Sequence, residues 1–347
     1  MDKKKDRYRV AVVGATGMVG ETLLELLAER KFPVSDVVAL ASERSVGREV
    51  SFGTRSLVVE DVATFDFDGV DFALFSAGGS VSAQHAPRAA SAGCTVIDNT
   101  SHFRLQEDVP LVVPEVNGDL LDSWPGQGII ANPNCSTIQM LLAVAPIHRV
   151  AGVCRINVAT YQSVSGAGRR AMEELGRQSA DRFNFRTPEP DVFSEPIAFN
   201  LIPMIDQLEA NGFTREEMKM HNETRRILGT DAIAVNATAV RVPVFIGHGE
   251  AVHLETDAPI DLDTVRTLLL EAPGVRLLDG DAIATPLTHA AGNDGVYIAR
   301  LRRDLSHPQG IDFWVVSDNI RKGAALNAIQ IAERLVEGAS GSDGGSR

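Results

Sequence analysis

YRVAVVGATGMVGETLLELLAER, residues 8–30, decides the fold. Its first six residues are mostly β-branched or apolar, as in a buried strand, while Leu23, Leu24, Leu26 and Leu27 recur at helical spacing. A second apolar run, VVALAS at 37–42, completes a strand–helix–strand unit of about 30 residues, as a parallel nucleotide-binding sheet requires. Gly14, Gly17 and Gly20 lie in the turn between strand and helix. Without side chains there, backbone N–H groups and the helix N-terminus can approach a pyrophosphate. Gly14, Ala15, Thr16, Gly17, Met18, Val19 and Gly20 are therefore the expected cofactor turn. The spacing is GxxGxxG rather than GxGxxG, and a bare structural turn is the alternative.

The second strand leads into ASERS, residues 41–45. Glu43 suits a ribose 2′-OH and hence NAD, whereas Ser42, Arg44 and Ser45 suit a 2′-phosphate and hence NADP. One charged donor with two hydroxyls nearby favours NADP, with Glu43 turned to solvent.

At about 150 residues per domain, 347 residues predict two domains. The runs VDFALFSA, CTVIDN, LVVPEV and GIIAN alternate with short helical or loop segments, which predicts a doubly wound α/β domain over 1–133. From residue 155 the strands lengthen and partly alternate in RINVATYQSV, AIAVNATAVRVPVFI and EAVHLETD. That texture predicts an α+β domain over 134–317 with a largely antiparallel or mixed sheet. The segment RFNFRTPEPDVFSEP reads as a surface loop, and Thr214 followed by Glu217 as a capping box opening a helix to about Leu228. Apolar spacing from Ile320 to Val336 predicts a closing amphipathic helix over 318–338. The Gly/Ser-rich residues 339–347 are expected to be disordered.

Lys and Arg number 33 against 46 Asp and Glu, a formal charge of −13, which disfavours a broad nucleic-acid footprint. Any anionic ligand must be held by a local basic cluster. No apolar run approaches the roughly 18 residues of a membrane span, and MDKKKDRYRV lacks the apolar core of a secretory signal. The expectation is a cytoplasmic protein bound to neither membrane nor nucleic acid. Three cysteines without export predict no disulfide framework, and no Cys/His spacing indicates a metal.

Cys135 follows an Asn-Pro-Asn turn and opens the apolar run CSTIQMLLAVAPI. The N–H groups and dipole of a helix start favour thiolate over thiol, which makes Cys135 the expected nucleophile. Cys94 and Cys154 sit among strand-like apolar residues and read as inert core thiols.

NPNCST, GATGMVG, YQSVSGAG, EEMKMHNETRRIL, RVPVFIGHGE and VVSDNIRKGAALNAIQIAE together resemble the aspartate-β-semialdehyde dehydrogenase family, from residue 8 to about 337. The resemblance implies a Rossmann-like nucleotide-binding domain and a catalytic and dimerisation domain of the glyceraldehyde-phosphate-dehydrogenase-like type. It implies NADPH-dependent reductive dephosphorylation of L-4-aspartyl phosphate to aspartate semialdehyde, toward lysine, diaminopimelate, methionine and threonine, by a homodimer.

By the same resemblance Cys135 forms a thioester, Asn134 lines the substrate and phosphate site, and Gln162 orients the acyl group. His248 is the acid/base residue, near its normal pKa, and Arg241 holds the substrate α-carboxylate. An offset of seven would put Arg241 and His248 on opposite faces of one strand, so a bend near Pro243 or Gly247 is required. Glu216 would hold the substrate ammonium, with Lys219 and Arg104 on the phosphate; a surface ion pair is the alternative for Glu216 and Lys219. Ser165, Gly166 and Asn319 would meet the nicotinamide, and Ser76, Ala77 and Gly78 would border the dinucleotide. With Asn319 there, the closing helix is expected to return to the first domain. The rival readings are N-acetyl-γ-glutamyl-phosphate reductase and a non-catalytic dinucleotide-binding protein.

Overall fold

A computed structural model describes residues 5–341. The chain divides into two compact units, Met1–Pro133 with Ala324–Arg347, and Asn134–Gly323. In the first, β1 (Tyr8–Val13) and α1 (Met18–Glu29) lead to β2 (Val34–Ala41), a hairpin of β3 (Glu49–Phe52) and β4 (Arg55–Val58), and β5 (Glu60–Asp61). Then come β6 (Phe72–Phe75), α2 (Gly79–Ser91), β7 (Thr95–Asp98), α3 (Pro114–Asn117) and β8 (Gly128–Ala131). Six strands form one parallel sheet in the order β5-β2-β1-β6-β7-β8. Val10 to Val13 are all fully buried, because a parallel sheet covered on both faces needs unbroken apolar strands rather than alternation. Leu23, Leu24, Leu26 and Leu27 of α1 join Val10, Val12 and Phe72 in its core, each buried leucine contributing about 2 kcal/mol. Of LVVPEV, Leu111 makes only an isolated bridge, and Pro114 opens α3 instead of continuing a strand.

The second unit opens with α4 (Cys135–Ala151) and β9 (Val153–Gln162), followed by α5 (Arg169–Phe183), α6 (Arg215–Leu228), β10 (Ala234–Arg241) and β11 (His248–Thr256). It closes with α7 (Leu262–Glu271), β12 (Val275–Leu277), β13 (Val296–Arg303) and β14 (Gly310–Ser317). Its sheet, β10-β9-β11-β14-β13-β12, is mixed: β10 and β12 run parallel to their neighbours and the other pairs are antiparallel. The nearly all-buried helix α4 packs on β9, β11, β13 and β14. Residues 184–196 carry no helix or strand.

The helix expected from residue 318 begins at Leu326 as α8 (Leu326–Gly341). Ahead of it the Asp318 carboxylate accepts from the N–H groups of Ile320, Arg321 and Gly292, and Arg321–Ala325 form a wide π-type turn. A Cβ at Gly323 would lie 2.7 Å from that of Cys135, so this approach fixes the turn and delays the helix. The α8 backbone runs to Gly341, past the expected start of a disordered tail at 339; residues 342–347 lie outside the described residues. Among the described residues no helix is long and apolar enough to cross a membrane.

Candidate active site

Cys135 is the first residue of α4, as its sequence context predicts. Asn134 caps the helix, its Oδ1 accepting from Ser136 N at 3.0 Å and Thr137 N at 3.3 Å. The backbone N–H of Asn134 donates to Glu223 Oε2 at 2.6 Å, and its Nδ2 donates to Glu216 Oε1 at 2.9 Å. The cap thus ties the Cys135 helix to α6. That helix opens with the expected capping box, Thr214 with Glu217, and ends at Gly229 in a left-handed conformation.

Gln162, at the end of β9, points its Nε2 at Ser136 Oγ (3.0 Å), Glu216 Oε1 (3.2 Å) and Thr160 Oγ1 (3.3 Å). Glu216 Oε2 accepts from Lys219 at 2.9 Å, and Lys219 also donates to Asp206 at 3.0 Å. The ion pair that simple spacing favoured therefore forms, but with Glu216 buried rather than on the surface. Burial would raise the Glu216 carboxyl, yet the Lys219 ammonium and the bonds from Lys219, Asn134 and Gln162 pull it down to about 2. It stands as a fixed negative charge within the Cys135 network.

Arg241 and His248 end and begin separate strands, joined by a loop that carries Pro243 and Gly247 at φ +92°. The loop removes the parity conflict. β9 lies between the two strands, Arg241 in register with Gln162 on one side and Gly249 with Tyr161 on the other. A Cβ at Gly166 would lie 2.9 Å from Arg241 Nη1 and 3.4 Å from His248 Nε2, so glycine lets both side chains converge. Arg241 Nη1 donates to the Ser163 carbonyl at 2.7 Å, and its guanidinium lies 5.8 Å from the Phe193 ring centroid. Burial lowers the Arg241 pKa, while negative charge on Glu216 and Cys135 opposes that.

His248 departs from expectation. Instead of a near-normal pKa, burial and then the Arg241 charge lower it to about 3, against a weaker raising effect of Glu216. Its Nδ1 accepts the Ser163 N–H at 3.1 Å, which leaves the neutral ring's hydrogen on Nε2. Nε2 has no hydrogen-bond partner among the described residues. Asn319 Oδ1 accepts from Ser163 Oγ, Ser165 Oγ and Gly247 N at 3.1, 3.1 and 2.9 Å, which orients its Nδ2 away from that cluster.

The first unit builds the glycine turn as a backbone cradle. Gly14 has φ +91°, and a Cβ there would lie 2.9 Å from Ala77 N, while a Cβ at Gly20 would collide with the Gly14 carbonyl oxygen. Gly17 is the N-cap of α1 and supplies no side-chain cap, so the first-turn amides at Met18, Val19 and Gly20 have no capping side chain. Ala15 N donates to Leu40 O, and Ser76 Oγ to Val13 O, packing both segments at the C-terminal ends of the central strands. Gly78, at φ +95°, caps α2. Thr16 Oγ1 reaches Ser45 Oγ at 3.5 Å, which brings the ASERS segment to the turn, with Ser42 and Arg44 exposed. These groups fit a dinucleotide pyrophosphate and ribose. Arg104 also belongs to this unit, where its guanidinium donates to the carbonyls of Asn132 and Asn99.

Burial pushes the Cys94 thiol up to about 12 and raises that of Cys154, so both differ in setting from Cys135 at its helix start. Sequence reading passed over Ser163, which holds both His248 and Arg241, and Glu250, buried on β11. The signal for Glu250 was a carboxylate two residues after His248 in a strand. Ser163 acts partly through its backbone, which residue identity does not reveal.

Residues 9–124 match the family described as semialdehyde dehydrogenase, NAD binding domain, and residues 144–322 match semialdehyde dehydrogenase, dimerisation domain. An aspartate-semialdehyde dehydrogenase of Legionella pneumophila is 55% identical over 329 residues, 94% of this chain and 95% of that protein. The crystal structure of aspartate semialdehyde dehydrogenase II from Vibrio cholerae, complexed with ASA, is similar at a TM-score of 0.94 and 53% identity, covering 96% of this chain and 99% of that one. A probable aspartate-semialdehyde dehydrogenase from Pseudomonas aeruginosa is similar at a TM-score of 0.91 and 37% identity, covering 95% and 99%. The likeness covers both units, and the chain belongs to the aspartate-semialdehyde dehydrogenase family, oxidoreductases with a nicotinamide-dinucleotide domain.

Proposed function

We propose that the chain reduces L-4-aspartyl phosphate to L-aspartate 4-semialdehyde, releasing phosphate, with NADPH as reductant and a thioester on Cys135. One observation carries the reading: Asn134, which caps the Cys135 helix, and Gln162 both bond the ionised carboxylate of Glu216. A nucleophile is thereby tied to a fixed anion suited to an α-ammonium group.

Cys135 Sγ attacks the acyl carbon and the C–O bond to phosphate breaks. Gln162, held by Ser136 and Thr160, orients the acyl group. Glu216 takes the ammonium, and Arg241 offers its remaining donors to the α-carboxylate. Bound NADPH supplies hydride to the acyl carbon. The neutral His248 ring holds the oxyanion that results through its Nε2–H, and the oxyanion collapses to the aldehyde as the C–S bond breaks and Cys135 leaves as thiolate. Asn134 and Lys219 line the substrate and phosphate side, and Ser165, Gly166 and the Nδ2 of Asn319 would meet the nicotinamide. The phosphate role of Arg104, the last residue of SHFR at 101–104, rests on the family resemblance.

Ser42, Arg44 and Ser45 would hold a 2′-phosphate, the basis for NADPH over NADH. R44A should raise KM for NADPH at least 10-fold relative to that for NADH; an equal change for both would remove this assignment. The substrate is tested by assaying aspartate semialdehyde against N-acetylglutamate semialdehyde, each with phosphate and NADP. The ionised Glu216 favours the free ammonium, and faster turnover of the acetylated compound would overturn the choice. We read the protein as a cytoplasmic homodimer, assembled through the segment matching the dimerisation domain and engaging neither membrane nor nucleic acid.

A further inference from the structure

Side chains alternate along β11, so Glu250 shares with His248 the buried face against which α4 packs. Glu250 and Gln139 are buried, and among the described residues neither carboxyl oxygen of Glu250 and neither amide atom of Gln139 has a hydrogen-bond partner of full geometry. The Glu250 carboxyl nevertheless lies close enough to Gln139 and Ser136 of α4 for both to act on it. Ser136 follows Cys135, and its Oγ accepts from Gln162 Nε2 at 3.0 Å. Resting on the thioester reading above, we propose that Glu250 is a positioning residue: through Ser136 it fixes the amide of Gln162 beside the nucleophile's helix.

With one lone pair of Ser136 Oγ taken by Gln162, its single O–H is left to turn to a Glu250 oxygen. A proton on the second Glu250 oxygen would then face Gln139 Oε1. Thr160 of β9 and Val315 of β14 flank Glu250, α4 presents Ser136 and Gln139, and His248 is the titratable neighbour on its own strand. No cation stands among these. Burial outweighs the two neighbouring hydrogen-bonding groups and holds the carboxyl well above its usual range. Removing this acceptor would free the Ser136 hydrogen to turn toward Gln162 and release the amide.

The test compares E250Q, E250L, S136A and the double variant S136A/E250L with the wild type in phosphate-dependent NADPH formation, alongside Tm. Glutamine keeps an acceptor for Ser136 and a donor for Gln139, so E250Q should hold kcat and KM within about twofold from about pH 6 to about pH 9. E250L and S136A should each lower kcat about 10-fold with little change in KM, and the double variant should be no worse than either. Loss of kcat in E250Q, or full kcat in S136A, would overturn the proposal; S136A keeps the test alive should E250L not fold. Independently of turnover, the infrared spectrum of the wild type should contain a protonated-carboxyl band that E250Q removes, and its absence would overturn the proposal. A wild type that makes no NADPH strikes the proposed activity instead. Alkylation of Cys135 by iodoacetamide then decides for Glu250: E250L should alter the rate and E250Q should not, and equal rates in both would overturn it.

Discussion

A histidine whose Nδ1 already accepts a backbone N–H, buried beside a guanidinium, resists a second proton. In the unfolded chain its pKa returns to about 6.5, against about 3 when folded. Below the higher value the unfolded state binds a proton that the folded state refuses, so the stability present above it is lost as pH falls toward the lower one. Between about pH 7 and about pH 5 that loss is about 2 kcal/mol. Glu216, depressed to about 2, loses its contribution only below its unfolded value near 4.5, outside that window. Urea unfolding of wild type and H248Q at the two pH values should therefore differ by about 2 kcal/mol in pH dependence; equal slopes would contradict a depressed His248. C135S should lose turnover while NADPH binding, followed by fluorescence, stays within about twofold. Loss of both would make Cys135 structural. R241K should raise KM for the semialdehyde about 10-fold by breaking the fork, and an unchanged KM would remove the carboxylate role. Cys135 was legible because a helix start after an Asn-Pro-Asn turn is a local feature. The pKa of His248 was not, because it depends on Arg241 and on burial built by three strands.

At the scale of elements, the glycine turn separates folding from binding. G20A places a Cβ against the Gly14 carbonyl oxygen and should cost more than about 3 kcal/mol or prevent folding. At Gly17 φ is −87° and the nearest atom to a Cβ is 3.4 Å away, so G17A should keep its Tm but weaken NADPH binding. Calorimetry and a binding titration of the pair check this; equal Tm losses would contradict it. The first strand, the turn and α1 were readable because strand and helix periods differ within 23 residues of one another. The end of β10 was less so: continuous apolar character in AVRVPVFI hid the break after Arg241, although Pro243 and Gly247 marked it. The late start of α8 was unreadable, because the π-type turn answers to the close approach of Gly323 to Cys135, almost two hundred residues earlier in sequence.

For the whole molecule, acidic composition and two textures of apolar patterning pointed to an enzyme rather than a nucleic-acid binder. The parallel sheet was evident from its repeating strand and helix alternation; the order of the mixed sheet was not, since β9 pairs with strands whose partners lie more than 70 residues away. If the protein is a homodimer, light scattering should return twice the 37.2 kDa chain mass; a monomer mass would contradict that assembly. The most direct test of the Cys135 thioester account is the reverse reaction, NADPH formation followed by absorbance with aspartate semialdehyde, NADP and purified protein, with and without phosphate. The account predicts formation that requires phosphate, because phosphate must cleave the thioester to release product. Equal rates without phosphate, or no NADPH from a folded and reduced protein, would contradict it.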